Sequence, residues 1–148
     1  MWNPALGFDH VNFTVFIELP GRVGGATVMP LQQASLPEGM RWHLRLRVGG
    51  WSNALFSSEG ASATVEGRPV TPGASVQVAP ERQSVIFTLP AAALGKPASL
   101  SGTRIYVTTW DYDGGYRALG IQAQPYAVGG GDPSDPKVMD ASPVIVVP

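Results

Sequence analysis

From Val11 to Leu19 the chain reads VNFTVFIEL, with apolar residues on every second position. Val11, Phe13, Val15, Ile17 and Leu19 share one side. Asn12, Thr14 and Glu18 share the other, with Phe16 as the exception. Successive side chains of a strand point to opposite faces, so this pattern predicts a strand with one buried face. WHLRLRV, Trp42 to Val48, repeats it: Trp42, Leu44, Leu46 and Val48 point inward, and His43, Arg45 and Arg47 point to water. Further strands are expected over Ala63 to Glu66, Ser75 to Ala79, Ser84 to Leu89, Arg104 to Asp111 and Val144 to Val147, with Gly, Pro, Asn and Ser between them. Helical signals reduce to LPAAALGKP, about one turn from Pro90 to Leu94, where proline suits the start and Gly95 the stop.

Many short strands separated by turn signals predict an all-β chain folded as an antiparallel β-sandwich, jelly-roll or immunoglobulin-like. The expectation is a single domain over 1–148, with GGGDPSDP (Gly129 to Pro136) as a loop before the last strand. WNPALGFDH, ahead of the first strong strand, reads like mid-domain sequence. That points to a missing leading strand or hairpin, as in a truncated module. It also points to a sheet edge either left open or covered by a second copy in a homo-oligomer.

Composition narrows the partners. Ten basic and 11 acidic side chains give a net charge of -1 with no run of either sign, so nothing draws the chain to nucleic acid. Cysteine is absent, which excludes thiol catalysis, disulfides and zinc-thiolate sites. No apolar run approaches the ~18 residues of a membrane span. The opening MWNPALGFDH lacks the basic-then-apolar layout of a signal peptide, so an exported protein would carry its signal outside this chain.

Candidate chemistry gathers in TTWDYDGGYR, Thr108 to Arg117. Ile105, Val107 and Thr109 fall on one side of the strand, and Tyr106, Thr108, Trp110 and Tyr112 on the other. Asp113-Gly114-Gly115 is a tight-turn signal, after which Tyr116 and Arg117 begin the return strand. Two readings stand. In one, the aromatic side packs beneath the second sheet and Arg117 pairs with Asp111 or Asp113. In the other, Trp110, Tyr112 and Tyr116 are flat platforms at a sheet end. The apolar C–H faces of sugar rings would stack on them, while Asp111, Asp113 and Arg117 would hydrogen-bond the hydroxyls. As a glycosidase pair Asp111 and Asp113 are poor candidates. Positions i and i+2 on a strand lie roughly 6.6 Å apart, but Asp113 falls in the turn and nothing raises either pKa.

GGWSNALFSSEGAS, Gly49 to Ser62, reads as a loop that brings Trp51 and Asn53 to the same kind of site; the alternative is an indole folded over the core edge. Calcium has only weak oxygen sets in Asp111 with Asp113, or Asp132 with Asp135. Haem would need His10 or His43 with Met29, Met40 or Met139, without a ligand spacing to support it. The expectation is therefore no cofactor. Asn12-Phe13-Thr14 matches a glycosylation acceptor but lies in a strand. No Gly-x-Ser-x-Gly and no Ser, His and acid set suggests nucleophilic catalysis.

GFDHVNFTVFIELPG, LRVGGWSNALFSSEGA and LSGTRIYVTTWDYDGGYR resemble the C-terminal glucodextranase-type domain of bacterial α-glucan-active glycoside hydrolases. The resemblance covers roughly Gly7 to Val147 and is most specific from Leu100 to Arg117. It implies a non-catalytic β-sandwich similar to carbohydrate-binding modules and to DOMON-type sugar or haem sandwiches. It also implies an accessory domain of a larger secreted or periplasmic hydrolase, with α-glucan and the catalytic domain as partners. The alternative is a structural module that packs on a catalytic domain or on the cell envelope. The Asp- and Gly-rich segment that usually opens the family has no match here, in keeping with the reading of a missing leading strand.

Overall fold

The computed structural model describes residues 4–81, 83–112 and 136–148, without the side chains of residues 111 and 112. Nine strands are described: β1 (His10–Glu18), β2 (Leu44–Gly49), β3 (Ser52–Ser57), β4 (Arg68–Pro69), β5 (Ser75–Val78), β6 (Val85–Thr88), β7 (Arg104–Tyr112), β8 (Asp140–Ala141) and β9 (Ile145–Val146). Seven form one antiparallel sheet in the order β4-β3-β2-β1-β7-β8, with β9 also on β7; β5 and β6 form a second, two-stranded sheet. The fold is an all-β sandwich with layers of very unequal width. β1 runs between β2 and β7 and is paired on both sides. Among the described residues the long unpaired edges belong to the small sheet.

Register explains the core. Val15 sits between Leu46 and Val107, and Ile17 between Leu44 and Ile105, so one face of the large sheet is a continuous apolar surface. The β5–β6 hairpin closes over it. Ala74, Val76, Phe87 and Leu89 pack on Val15, Ile17, Leu44, Leu46, Val48 and Leu55.

On the opposite face the polar positions of β2 were expected to meet water, and that face is covered. Phe16, Trp42 and Tyr106 on this side pack with Met29 and Met40, and Ala34, Leu36, Val138 and Val144 close over them. The irregular chain between β1 and β2 folds back across the sheet, held by the bridges Ala26↔Trp42 and Val28↔Ser35. His43 and Arg45, expected in solvent, are therefore buried, at 2% and 0% exposure; Arg47 is half-buried. Strand alternation predicts which side chains share a face but not what long-range chain will cover that face.

Two further expectations are corrected. Gly49 to Ser62 is not a loop: Ser52–Ser57 is β3, the return arm of a hairpin on β2. Ala63 to Glu66 is irregular and not a strand. The single turn at Pro90 to Leu94 is present as successive hydrogen-bonded turns, with Ala93 N donating to Pro90 O at 3.0 Å and Gly95 N to Ala92 O at 3.1 Å.

Burial of His43 has a measurable consequence. Leu19 N donates to its Nδ1 at 2.9 Å, so the neutral ring carries its proton on Nε2. Loss of solvent, reinforced by the Arg22 charge, holds its pKa below the ordinary value. The unfolded chain then binds the proton first as pH falls, so stability should drop from about pH 6.5 downward. Urea unfolding at pH 7, 6 and 5 tests this. His43→Asn, which keeps an acceptor for Leu19 N, is expected to flatten the slope; an unchanged slope would contradict the assignment.

Candidate functional site

The two stretches singled out by sequence reach the same end of the large sheet. Asn12 pairs with Trp110 on β7, and the register of β1 with β2 places it opposite Gly49, which pairs with Ser52 on β3. Trp110 and Ser52 are thus three strands apart, about 14 Å at the usual strand spacing. Trp51 stands immediately before Ser52, in the two-residue turn joining β2 to β3.

That turn is rigid. Leu6 N donates to Gly50 O at 2.8 Å, which ties the chain entering β1 across the hairpin tip. A Cβ on Gly50 would lie 2.2 Å from Phe8 O, so this crossing admits only glycine. The indole of Trp51, 37% exposed, is therefore presented to solvent from a braced turn. Asn53, two residues on, is half-buried with its Oδ1 facing Gly73.

Trp110 behaves differently. At 9% exposure its ring is enclosed and is not a platform open to solvent, but it lies on the face away from the second sheet and not beneath it. Asp111 and Tyr112 continue β7, opposite Val11 and His10. Asp113, Tyr116 and Arg117 lie outside the described residues, as do Asp132 and Asp135 of the calcium expectation.

Beside Trp110 the second face carries a buried polar strip that sequence reasoning missed. Thr14 and Thr108 pair across β1 and β7, and Gln32 Nε2 donates to Thr108 Oγ1 at 2.9 Å and to Lys137 O at 3.3 Å. Asn12 Nδ2 and Gln32 Oε1 are buried with no hydrogen-bond partner among the described residues. One strand further, Arg45 Nη1 donates to Glu66 Oε1 at 2.9 Å and Arg47 Nη2 to Glu66 Oε2 at 3.0 Å. Burial alone would raise the Glu66 pKa, but the two guanidinium groups outweigh it and hold the carboxyl below its ordinary value. Gln32 and Lys137 sit in irregular segments where no periodicity marks them, and Glu66 in one misread as a strand; the signal available was charge on β2.

Carboxylates with a basic partner are committed to structure. Glu66 is held by two arginines, and Glu18 Oε2 accepts from Arg104 Nη1 at 2.9 Å and Arg41 N at 3.3 Å. Among the described residues no group of three or more His, Asp or Glu is placed to hold a metal ion. Met29 and Met40 pack around Phe16 and Trp42, while Met139 and His10 are exposed. Among the described residues no helix is long and apolar enough to cross a membrane.

Fold and site together define an antiparallel β-sandwich with an exposed indole on a braced hairpin and a closed polar strip behind it. Residues 1–146 match the C-terminal binding module, SLH-like, of glucodextranase, and the chain belongs to that family. Comparison with curated proteins and with solved structures gives no match.

Proposed function

We propose that this chain is a non-catalytic accessory module that binds α-glucan, or positions it, for an attached or partner hydrolase. The reading places it in a larger protein that works outside the cytoplasm, secreted or periplasmic. The observation that carries it is Trp51: a family described as a binding module meets, in this member, a half-open indole on a tip that the crossing chain makes rigid. A braced aromatic stacks on a sugar ring with little ordering cost, and neighbouring polar groups select its hydroxyls. Asn53 lies near enough in sequence to serve, and Asp111, Tyr112, Asp113, Tyr116 and Arg117 are kept as candidates on their residue types alone.

Removing the ring tests the reading. One stacking contact contributes about 1 kcal/mol, so Trp51→Ala is expected to weaken retardation in affinity gels of dextran, pullulan or soluble starch about fivefold. Unretarded migration of the native protein in all three polymers would overturn the proposal. The enclosure of Trp110 favours a second reading, a structural module docked on a catalytic domain or the cell envelope. Tryptophan emission that stays constant through saccharide titration supports that alternative.

A further inference from the structure

Among the described residues the two-stranded sheet covers only part of the apolar face beneath it, and beside it lies a cleft of about 400 Å³. Phe8, Phe13, Phe87, Val85 and Val107 wall it, and Gln83 and Ser84 stand at its rim. Its volume is that of small-ligand sites, roughly 300–1,000 Å³. The three phenyl rings form a connected wall. Phe8 meets Phe13 edge-on with centroids 5.6 Å apart, and Phe13 meets Phe87 at 5.6 Å and 61°.

The backbone adds direction to that wall. Ala79 N donates to Ser84 O at 2.9 Å, and the register continues through Val78↔Val85, Gln77↔Ile86 and Val76↔Phe87. Antiparallel pairs alternate between hydrogen-bonded and non-hydrogen-bonded, so Ser84, Ile86 and Thr88 bond inward to β5. The N–H and C=O of Val85 and Phe87 turn to the outer edge of β6, where no further strand joins the small sheet among the described residues. The same two residues therefore give the cleft both apolar walls and a row of backbone donors and acceptors.

Among the described residues the side chains lining the cleft are apolar or neutral and polar. That lining suits a ligand with an apolar face for the phenyl wall and hydroxyls for the edge. We propose that this cleft holds one pyranose ring of a neutral saccharide, bonded by the edge of β6, the Gln83 amide and the Ser84 hydroxyl. The proposal rests on the saccharide-binding reading above and gives that reading a second subsite. The two subsites adjoin: Phe8, in the cleft wall, crosses the hairpin tip directly at Gly50, next to Trp51. One oligosaccharide chain passing over the entering segment reaches both.

Titration of the ¹⁵N-labelled protein with isomaltotriose and with maltotriose, followed by amide chemical shifts, tests it. Shifts at Ser84, Val85 and Phe87 are expected with one of the two sugars. Gln83→Ala/Ser84→Ala, both exposed positions, is expected to weaken that binding about tenfold, the scale of two neutral hydrogen bonds. Shifts confined to Trp51–Asn53, with the double variant binding as the native protein does, would overturn the cleft and leave the module reading standing. No shift with either sugar, together with no retardation in the three polymers, would overturn both.

Discussion

Replacing Glu66 with alanine lowers the unfolding free energy by about 3–5 kcal/mol, as read from urea denaturation at pH 7, because it strands a charge that cannot reach water. Arg45 is fully buried, and its guanidinium lies over Phe16 at 5.7 Å and Phe56 at 6.0 Å. Its other oxygen partner is Pro30 O at 3.3 Å. Without Glu66 that cation keeps one carbonyl and two aromatic faces against the full cost of desolvation. The reverse change is milder. Arg45→Met fills similar volume and leaves Glu66 its pair with Arg47, so it is expected to cost under about 1.5 kcal/mol. Equal losses in the two variants would refute the view that the uncompensated charge is what destabilises.

The same cluster has an acid signature. With the folded pKa of Glu66 depressed by Arg47 and Arg45, the unfolded chain takes up the proton first as pH falls below about 4.5. The contribution is whole above that pH and is lost as pH falls through the folded value. The alanine variant is therefore expected to show a shallower acid limb in stability against pH. The acid limb of Glu66 and the decline due to His43 are separable, since His43 acts from about pH 6.5 downward.

What could be read from sequence follows the range of the forces involved. β1, β2, β5, β6, β7 and β9 were legible, because alternation and turn residues are local and one buried face suffices to set the period. β3 was not. SNALFS has no clean alternation, and its flanking glycines and serines read as loop chemistry when the tight Gly50-Trp51 turn is not recognised. The water-facing assignment of His43 and Arg45 failed for a different reason. Polar residues at alternate positions are the signature of a solvated face, unless distant chain brings their partners, as Leu19, Pro30 and Glu66 do here. In the candidate site, sequence identified Trp51 and Trp110 as aromatics of interest but could not rank them. One stands on a turn and the other in mid-sheet, and only the register of four strands places both at one end. The phenyl cleft escaped because Phe8, Phe13 and Phe87 each look like ordinary core; their opening to solvent is a property of the narrow second sheet.

Trp42→Ala is expected to cost about 3–5 kcal/mol and to loosen the whole layer on the second face, because Trp42 is where that layer is fastened. Its ring has no exposure and meets Phe16 at 6.0 Å between centroids. Its Nε1 donates to Val28 O at 2.7 Å, and its backbone exchanges both hydrogen bonds with Ala26, at 2.9 and 3.0 Å. Gly67 passes directly over the indole, with a positive φ of 109° and Ser57 O where a Cβ would sit at 2.2 Å. Truncation thus opens a large cavity and leaves Val28 O without its donor, in the segment that buries Arg45. Trp42→Phe keeps most of the apolar volume and isolates the lost hydrogen bond, expected to be about 1–2 kcal/mol beyond any packing change. Amide exchange distinguishes a local from a global effect. Residues 26–42 are expected to lose protection ahead of β1 and β2, since the β1–β2 ladder and the opposite core do not use the indole. Uniform loss across both faces would mean that the second layer has no independent stability and that the two halves of this sandwich unfold as one.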